Sequence, residues 1–532
     1  MVNVLAVIIY WPRLEIPLDS AVMVVRIHTV AFEGVEALPV EVQVHIGPGL
    51  PAFTIVGLPD KTVAESRERV RAAIQSMGIA IPAKRILINL SPADIAKEGS
   101  HFDAPIALGL LTALGMLPDD ALGDMLAVGE LALDGKLLPV AGVLPAAIAA
   151  EAQGRGLVCP EANGPEAAFA GISREVLAPA SLLALMNHIK GQQILSAPAP
   201  YFLRSDMKGP DLSEVRGQDI PKRALEITAA GGHNLLMIGP PGSGKSMLAS
   251  CLPALLPPMT PEEMLEVNLI ASVAGNLIKS GFSGARPFRD PHHSSSMAAM
   301  VGGGRRALPG EISLAHRGVL FLDELPEYPR GVLESLRQPL ETGTVSIARA
   351  EMHVTYPARF QLIAAMNPCR CGYLEDASRA CGKAPRCAVD YQARISGPLL
   401  DRIDLHVEVG AVETLAMLAP ARAETSAAVA ARVAAARSRQ QERYAARGVP
   451  ARTNAEISGD LLHEVTALDA AAQKLLEDAT HRLKLSMRGL TRVLRVARTI
   501  ADLAGQESVG HLHLAEALSY RQQPQGKWLE VA

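Results

Sequence analysis

Residues 239–246 read Gly239, Pro240, Pro241, Gly242, Ser243, Gly244, Lys245, Ser246. Glycines at this spacing let backbone N–H groups close on phosphate oxygens, a lysine reaches the β- and γ-phosphates, and a hydroxyl ligates Mg²⁺. A second run, Gly318-Val-Leu-Phe-Leu-Asp-Glu324, ends in two carboxylates. Asp323 is placed to hold Mg²⁺ through water, and Glu324 to orient and polarise an attacking water. A third run, residues 360–366, ends at Asn367, whose side chain can hold that water against a γ-phosphate. An Asn-Pro pair is also a common turn, so Asn367 carries both readings. Taken together, these residue types suit hydrolysis of ATP with Mg²⁺.

Such chemistry needs rigid supports. Residues 233–238 make a buried-strand candidate running straight into the glycine-rich loop, and MLASCLPALL after it is helical, with an N-terminus that favours an anion. Residues 318–322 and 360–366 are further apolar strands. The stretch 211–411 therefore alternates strands and helical segments, as an α/β domain does. Residues 23–190 mix β-rich runs with Ala/Leu-rich helical ones. Residues 191–210 are rich in Pro, Gly and Ser and are expected to be a linker. Residues 412–532 are Ala- and Arg-rich with helical spacing, a C-terminal helical domain. Residues 1–22 are expected to be an extra leader before a second start at Met23, since they lack a basic n-region.

The 532 residues carry 51 basic and 55 acidic side chains, so a nucleic-acid partner would need a local basic surface. Apolar residues are 49% and charged residues 20%, which excludes a disordered chain, while 4% aromatics argue against base stacking on aromatic platforms. The apolar stretch 104–118 is too short to span a membrane. A cytoplasmic protein with no membrane partner is expected.

With the motifs in order, the chain resembles AAA+ ATPases. Gly217 and Gln218, after Arg216, look like the family's adenine-side box. The longer strings RPFRDPHHSSS, GEISLAHRGVLFLDELPE, AAMNPCRCG and ISGPLLDRIDLHVEV are similar to magnesium-chelatase-like AAA+ ATPases of the ComM (YifB) family. That resemblance implies a homo-oligomeric ring, a hexamer, whose ATP sites are completed in trans. Arg402, in Leu400-Asp-Arg-Ile-Asp404, matches the segment whose arginine enters a neighbour's site, with Arg394 in reserve. Arg488, opening a helix, resembles the second sensor, with Arg492 one turn later as its rival. The family reading implies a DNA helicase that promotes branch migration during natural transformation. Insertion of Mg²⁺ into a porphyrin is the alternative, and ATP-dependent proteolysis a third.

The strings LSPADIAKEGSHFDAPIALGLL and GELALDGKLLPVAGVLPAAIAA resemble a ribosomal-protein-S5-like, Lon-protease-like α+β domain. Those proteases use a Ser nucleophile and a poised Lys. Here the nucleophile position falls on His101, with Ser100 one place early, and the Lys position falls on Leu144. A non-catalytic binding or assembly module is expected.

Cys369-x-Cys371, nine residues, Cys381, five residues, Cys387 offers four thiolates, the number a closed tetrahedral Zn²⁺ site takes. Reduced thiols in a loop are the other reading. Between Ala479 and Ala501 there is no acid, while Arg482, Lys484, Arg488, Arg492, Arg495 and Arg498 recur. Such a face could track DNA phosphates without reading sequence. Loops containing Gly302-Gly-Gly-Arg-Arg306 and His292-His293 are further candidates for DNA contact.

Overall fold

The computed structural model describes residues 24–203, 209–277, 281–304, 307–348, 353–374, 381–411, 424–483 and 485–521. The leader 1–22, Arg305, Arg306 and Lys484 lie outside the described residues. The chain forms two compact units, the first running to Pro200 apart from residues 33–36, and the second holding the rest. Their boundary falls inside the stretch 191–210.

The first unit is built on a sheet of order β3-β4-β2-β1-β5-β6-β7, with β1 Val25–Glu33, β2 Glu36–Gly47, β3 Ala52–Val56, β4 Arg85–Ser91, β5 Met125–Ala127, β6 Gly156–Val158 and β7 Val176–Leu177. Alternation fixes its faces: Val40, Val42 and Val44 of β2 are buried with Ile86, Ile88 and Leu90 of β4, one side chain in two. Helix α1 (Lys61–Ser76) is capped by Asp60, whose carboxylate accepts from the Val63 amide at 2.7 Å. Helix α2 (Asp103–Ala113) is apolar all round and buried along nearly its whole length. The fully buried Asp103 clamps it to α1, accepting from Arg69 at 2.6 and 2.9 Å and from the Leu131 amide at 3.2 Å.

In this unit Ser100 donates to Glu130, and His101 is buried against the Val30 carbonyl at 2.9 Å. Leu144 is buried in the first turn of α3 (Val143–Ala152), its amide held at 3.0 Å by Glu166 of α4 (Gly164–Phe169). Lys97 is buried elsewhere and gives its ammonium to the Pro92 carbonyl.

The second unit holds a parallel sheet of order β9-β10-β11-β8-β12, with β8 Leu235–Ile238, β9 Phe288–Arg289, β10 Val319–Leu322, β11 Gln361–Met366 and β12 Leu405–Glu408. Every side chain of β8, β10 and β11 is buried, as expected of strands covered on both faces. The first strand of the five thus lies inside the sheet, between the fourth and the fifth. Loops leaving β8, β10 and β11 emerge side by side at their carboxyl ends, where open α/β sheets bind ligands.

Helices α5 (Asp219–Gly231) and α6 (Lys245–Leu255) share one apolar core with the C-terminal helices α7 (Ser426–Ala445), α8 (Ala470–Leu483), α9 (Met487–Leu503) and α10 (His511–Ser519). A buried polar chain joins them. Asp502 of α9 pairs with Arg498 at 2.9 Å and with Arg443 of α7 at 3.1 Å, and accepts from Asn454 at 2.9 Å. Asn454 also reaches Thr499, which meets His233, just ahead of β8, at 2.8 Å. Burial holds His233 down to about 4, against the pull of Asp404, so it is neutral near pH 7. Stranding a buried charge costs about 3–5 kcal/mol, so this network fastens the C-terminal helices to the sheet.

This packing corrects one expectation. The arginines of α9 do not form an open face for DNA. Arg492 is bound to Asp404 at 2.6 Å, Arg495 to the Ile457 carbonyl at 2.6 Å, and Arg498 is fully buried. Three-residue spacing does place them on one side of the helix, but that side faces inward and carries their partners. Arg482 and Arg488 remain exposed.

Candidate active site

The glycine-rich loop leaves β8 and enters α6 through left-handed backbone at Gly242 (φ 78) and Gly244 (φ 89), conformations that cost glycine little. At Gly239 a side chain would meet the Val409 carbonyl at 2.1 Å, so only glycine lets the loop pass β12 so closely. The Lys245 ammonium donates to the carbonyls of Gly239 at 2.8 Å and Pro240 at 2.9 Å, and to Asn367 Oδ1 at 3.2 Å. Burial lowers its pKa, while Asp323 and Glu324 oppose the shift.

The Ser246 hydroxyl donates to Asp323 Oδ2 at 2.8 Å, and the other Asp323 oxygen accepts from the Glu324 amide at 2.8 Å. Two hard oxygen donors in contact are a starting pair for Mg²⁺. Glu324 stands at φ 51, an uncommon backbone for a non-glycine residue, immediately past β10. Its carboxylate is half exposed and lies 3.3 Å from His293 Nδ1. So five of the expected residues, Lys245, Ser246, Asp323, Glu324 and Asn367, converge from three adjacent strand ends.

Gly217 (φ 61) and Gln218 (φ 59) turn the chain into α5, and Gln218 donates to the Gly410 carbonyl at 2.7 Å and the Ser243 carbonyl at 3.4 Å. The second of these bonds ties the turn to the glycine-rich loop. Arg402 is placed otherwise than a free finger: it is buried, donates to the Pro398 carbonyl at 2.6 Å and pairs with Glu341 of its own chain. Arg394 pairs with Glu327 at 3.0 Å. Between the two second-sensor candidates, Arg492 is committed to Asp404 whereas Arg488 is exposed.

Two neighbours of the site escape a motif reading. Asp290, one residue past β9, has its carboxyl pKa raised by burial and then by Asp323. His293, expected among the DNA-facing loops, instead meets Glu324, and the Tyr328 hydroxyl ties the same segment through the Pro291 carbonyl. The acid in Arg-Asp-Pro-His-His was the available signal.

Three family models match along the chain: "Magnesium chelatase, subunit ChlI" over residues 211–417, "Subunit ChlI of Mg-chelatase" over 42–163, and "Magnesium chelatase, subunit ChlI C-terminal" over 423–521. A protein named YifB from Salmonella typhimurium is 45% identical over 498 residues, 93% of this chain and 96% of its own. Competence protein ComM from Haemophilus influenzae is 44% identical over 501 residues, 93% of this chain and 97% of its own. The chain belongs to the ComM/YifB family of magnesium-chelatase-like proteins. The 38 kDa magnesium-chelatase subunit of Rhodobacter capsulatus is more distant, 27% identical over 342 residues, 58% of this chain and 87% of its own. Within this ComM/YifB protein the parallel sheet and its loop are those of an AAA+-like magnesium-chelatase domain. No helix among the described residues is long and apolar enough to cross a membrane.

Proposed function

We propose that this chain hydrolyses ATP and uses the energy to move along DNA, as a homo-oligomeric ring promoting branch migration. The observation that carries the first half is the bonded cluster of Lys245, Ser246, Asp323, Glu324 and Asn367 at adjoining strand ends. Lys245 exchanges its two loop carbonyls for β- and γ-phosphate oxygens. Ser246 and Asp323 hold Mg²⁺, which when bound offsets phosphate charge. Glu324 orients the attacking water, and Asn367 steadies that water and Lys245 together. Support for the DNA half is the near-full-length likeness to a protein named for competence.

Ring assembly follows from the need for an arginine from a neighbour, here Arg402 released from Glu341. Arg488 would sense the nucleotide from within the same chain. The first unit serves as a binding or assembly module: a buried Leu144 cannot abstract a proton, which speaks against proteolysis. Mg²⁺ insertion into a porphyrin stays as a second reading because all three family models carry the chelatase name. Steady-state ATP turnover measured alone, with forked DNA, with a porphyrin and with unfolded protein separates these. A rise with forked DNA is expected. A rise with porphyrin alone would move the assignment to the second reading.

A further inference from the structure

The cysteines outside the hydrolytic cluster form a site of their own. Sγ atoms of Cys369, Cys371 and Cys387 lie within 4.8 Å of one another, and Cys381 opens the turn that leads to Cys387, its carbonyl accepting from the Ala384 amide at 3.0 Å. A tetrahedral zinc with Zn–S near 2.3 Å spaces its sulfurs by about 3.8 Å, so the three clustered thiols need only small shifts to share one ion, and Cys381 closes on them as the fourth ligand. Cys369 and Cys371, at 3.0 Å, must open slightly.

The Gly372 amide closes a turn over Cys369, donating to the Cys369 carbonyl at 2.9 Å. Exposed Arg370, Lys383 and Arg386 adjoin the ligands in sequence and suit the double negative charge of a four-thiolate zinc. Cys369, Leu374 and Ala388 close a small apolar core beneath, keeping water from one side.

Position gives the site a task. Cys369 is two residues past Asn367. Cys387 lies in the first turn of the helix Arg386–Gln392, whose Gln392 donates to the Pro368 carbonyl at 2.9 Å. Gly372, at φ 82, lies so close to Pro241 of the glycine-rich loop that a side chain on it would come within 2.5 Å of the proline ring. We propose that Cys369, Cys371, Cys381 and Cys387 bind one structural Zn²⁺ that holds the segment after Asn367 against Pro241 and so sets the shape of the phosphate loop. Binding releases the thiol protons to solvent and involves no redox change.

Full-length protein purified under reducing, chelator-free conditions should carry about one zinc per chain. The Cys381→Ser/Cys387→Ser variant should lose it. Because that variant can fail to fold, wild-type protein is also stripped with a chelator under reducing conditions and titrated with Co²⁺. The strong visible absorption of tetrahedral cobalt thiolate should appear, then vanish as Zn²⁺ displaces it. Stripping should weaken binding of a non-hydrolysable ATP analogue about ten-fold, with recovery on adding Zn²⁺. Metal-free protein without a cobalt signature overturns the site. Zinc whose removal leaves analogue affinity unchanged overturns the link to the loop. Metal content is read without ATP, so failure of the ATPase reading is a separate result.

Discussion

Lys245→Ala should fold normally and lose ATP binding. The ammonium is the main cation available to the β- and γ-phosphates, and its 2.8 and 2.9 Å bonds show it already seated over the loop. A charge-assisted hydrogen bond contributes about 1.5–3 kcal/mol, and this group makes several to the triphosphate, so affinity should fall at least about a hundred-fold. Alanine also removes the donor to Asn367, at 3.2 Å, so that side chain loses its tether. Equilibrium binding of a fluorescent ATP analogue, with circular dichroism as the folding check, measures the effect. Unchanged affinity in a folded variant would remove the phosphate-loop assignment.

Arg402→Ala is expected to cost about 10³–10⁵ in turnover while sparing ATP binding, because a finger acts mainly on the transition state. In a ring, this variant keeps its own loop but cannot complete its neighbour's site, and Lys245→Ala has the opposite defect. Mixed and allowed to exchange, the two should regain part of the activity at interfaces that pair a sound loop with a sound arginine. The ion pair with Glu341 adds a second expectation. Since Arg402 must leave that carboxylate to act in trans, Glu341→Gln should not abolish turnover. A residue needed only for packing would give no rescue on mixing. If assembled Arg402→Ala hydrolyses ATP at the wild-type rate, Arg394 becomes the finger candidate.

The cluster proposed to hydrolyse ATP was legible in sequence because each part is local. A loop of fixed spacing, and apolar strands ending in Asp323, Glu324 and Asn367, name both the residue and its support. What the chain order conceals is pairing across long separations. Arg492 meets Asp404 and Arg443 meets Asp502, and nothing in the Arg-rich pattern of α9 tells an inward basic face from an outward one. The same limit hid Glu341 behind Arg402, Asp290 beside Asp323 and His293 against Glu324. For the cysteines, spacing offered four candidate ligands, but only the fold shows Gly372 lying on Pro241. In the first unit, β-rich and helical runs were readable, whereas the buried clamp of Arg69 on Asp103 was not.

The central claim, that this cluster turns ATP hydrolysis into movement on DNA, is tested most directly by strand displacement on a labelled forked duplex. Wild-type protein with ATP and Mg²⁺ should release the labelled strand. Glu324→Gln should bind both ATP and the fork yet release strand about 10²–10⁴ times more slowly, since an amide cannot polarise water as a carboxylate does. Displacement by Glu324→Gln at the wild-type rate, or by wild-type protein equally well without ATP, would contradict the account.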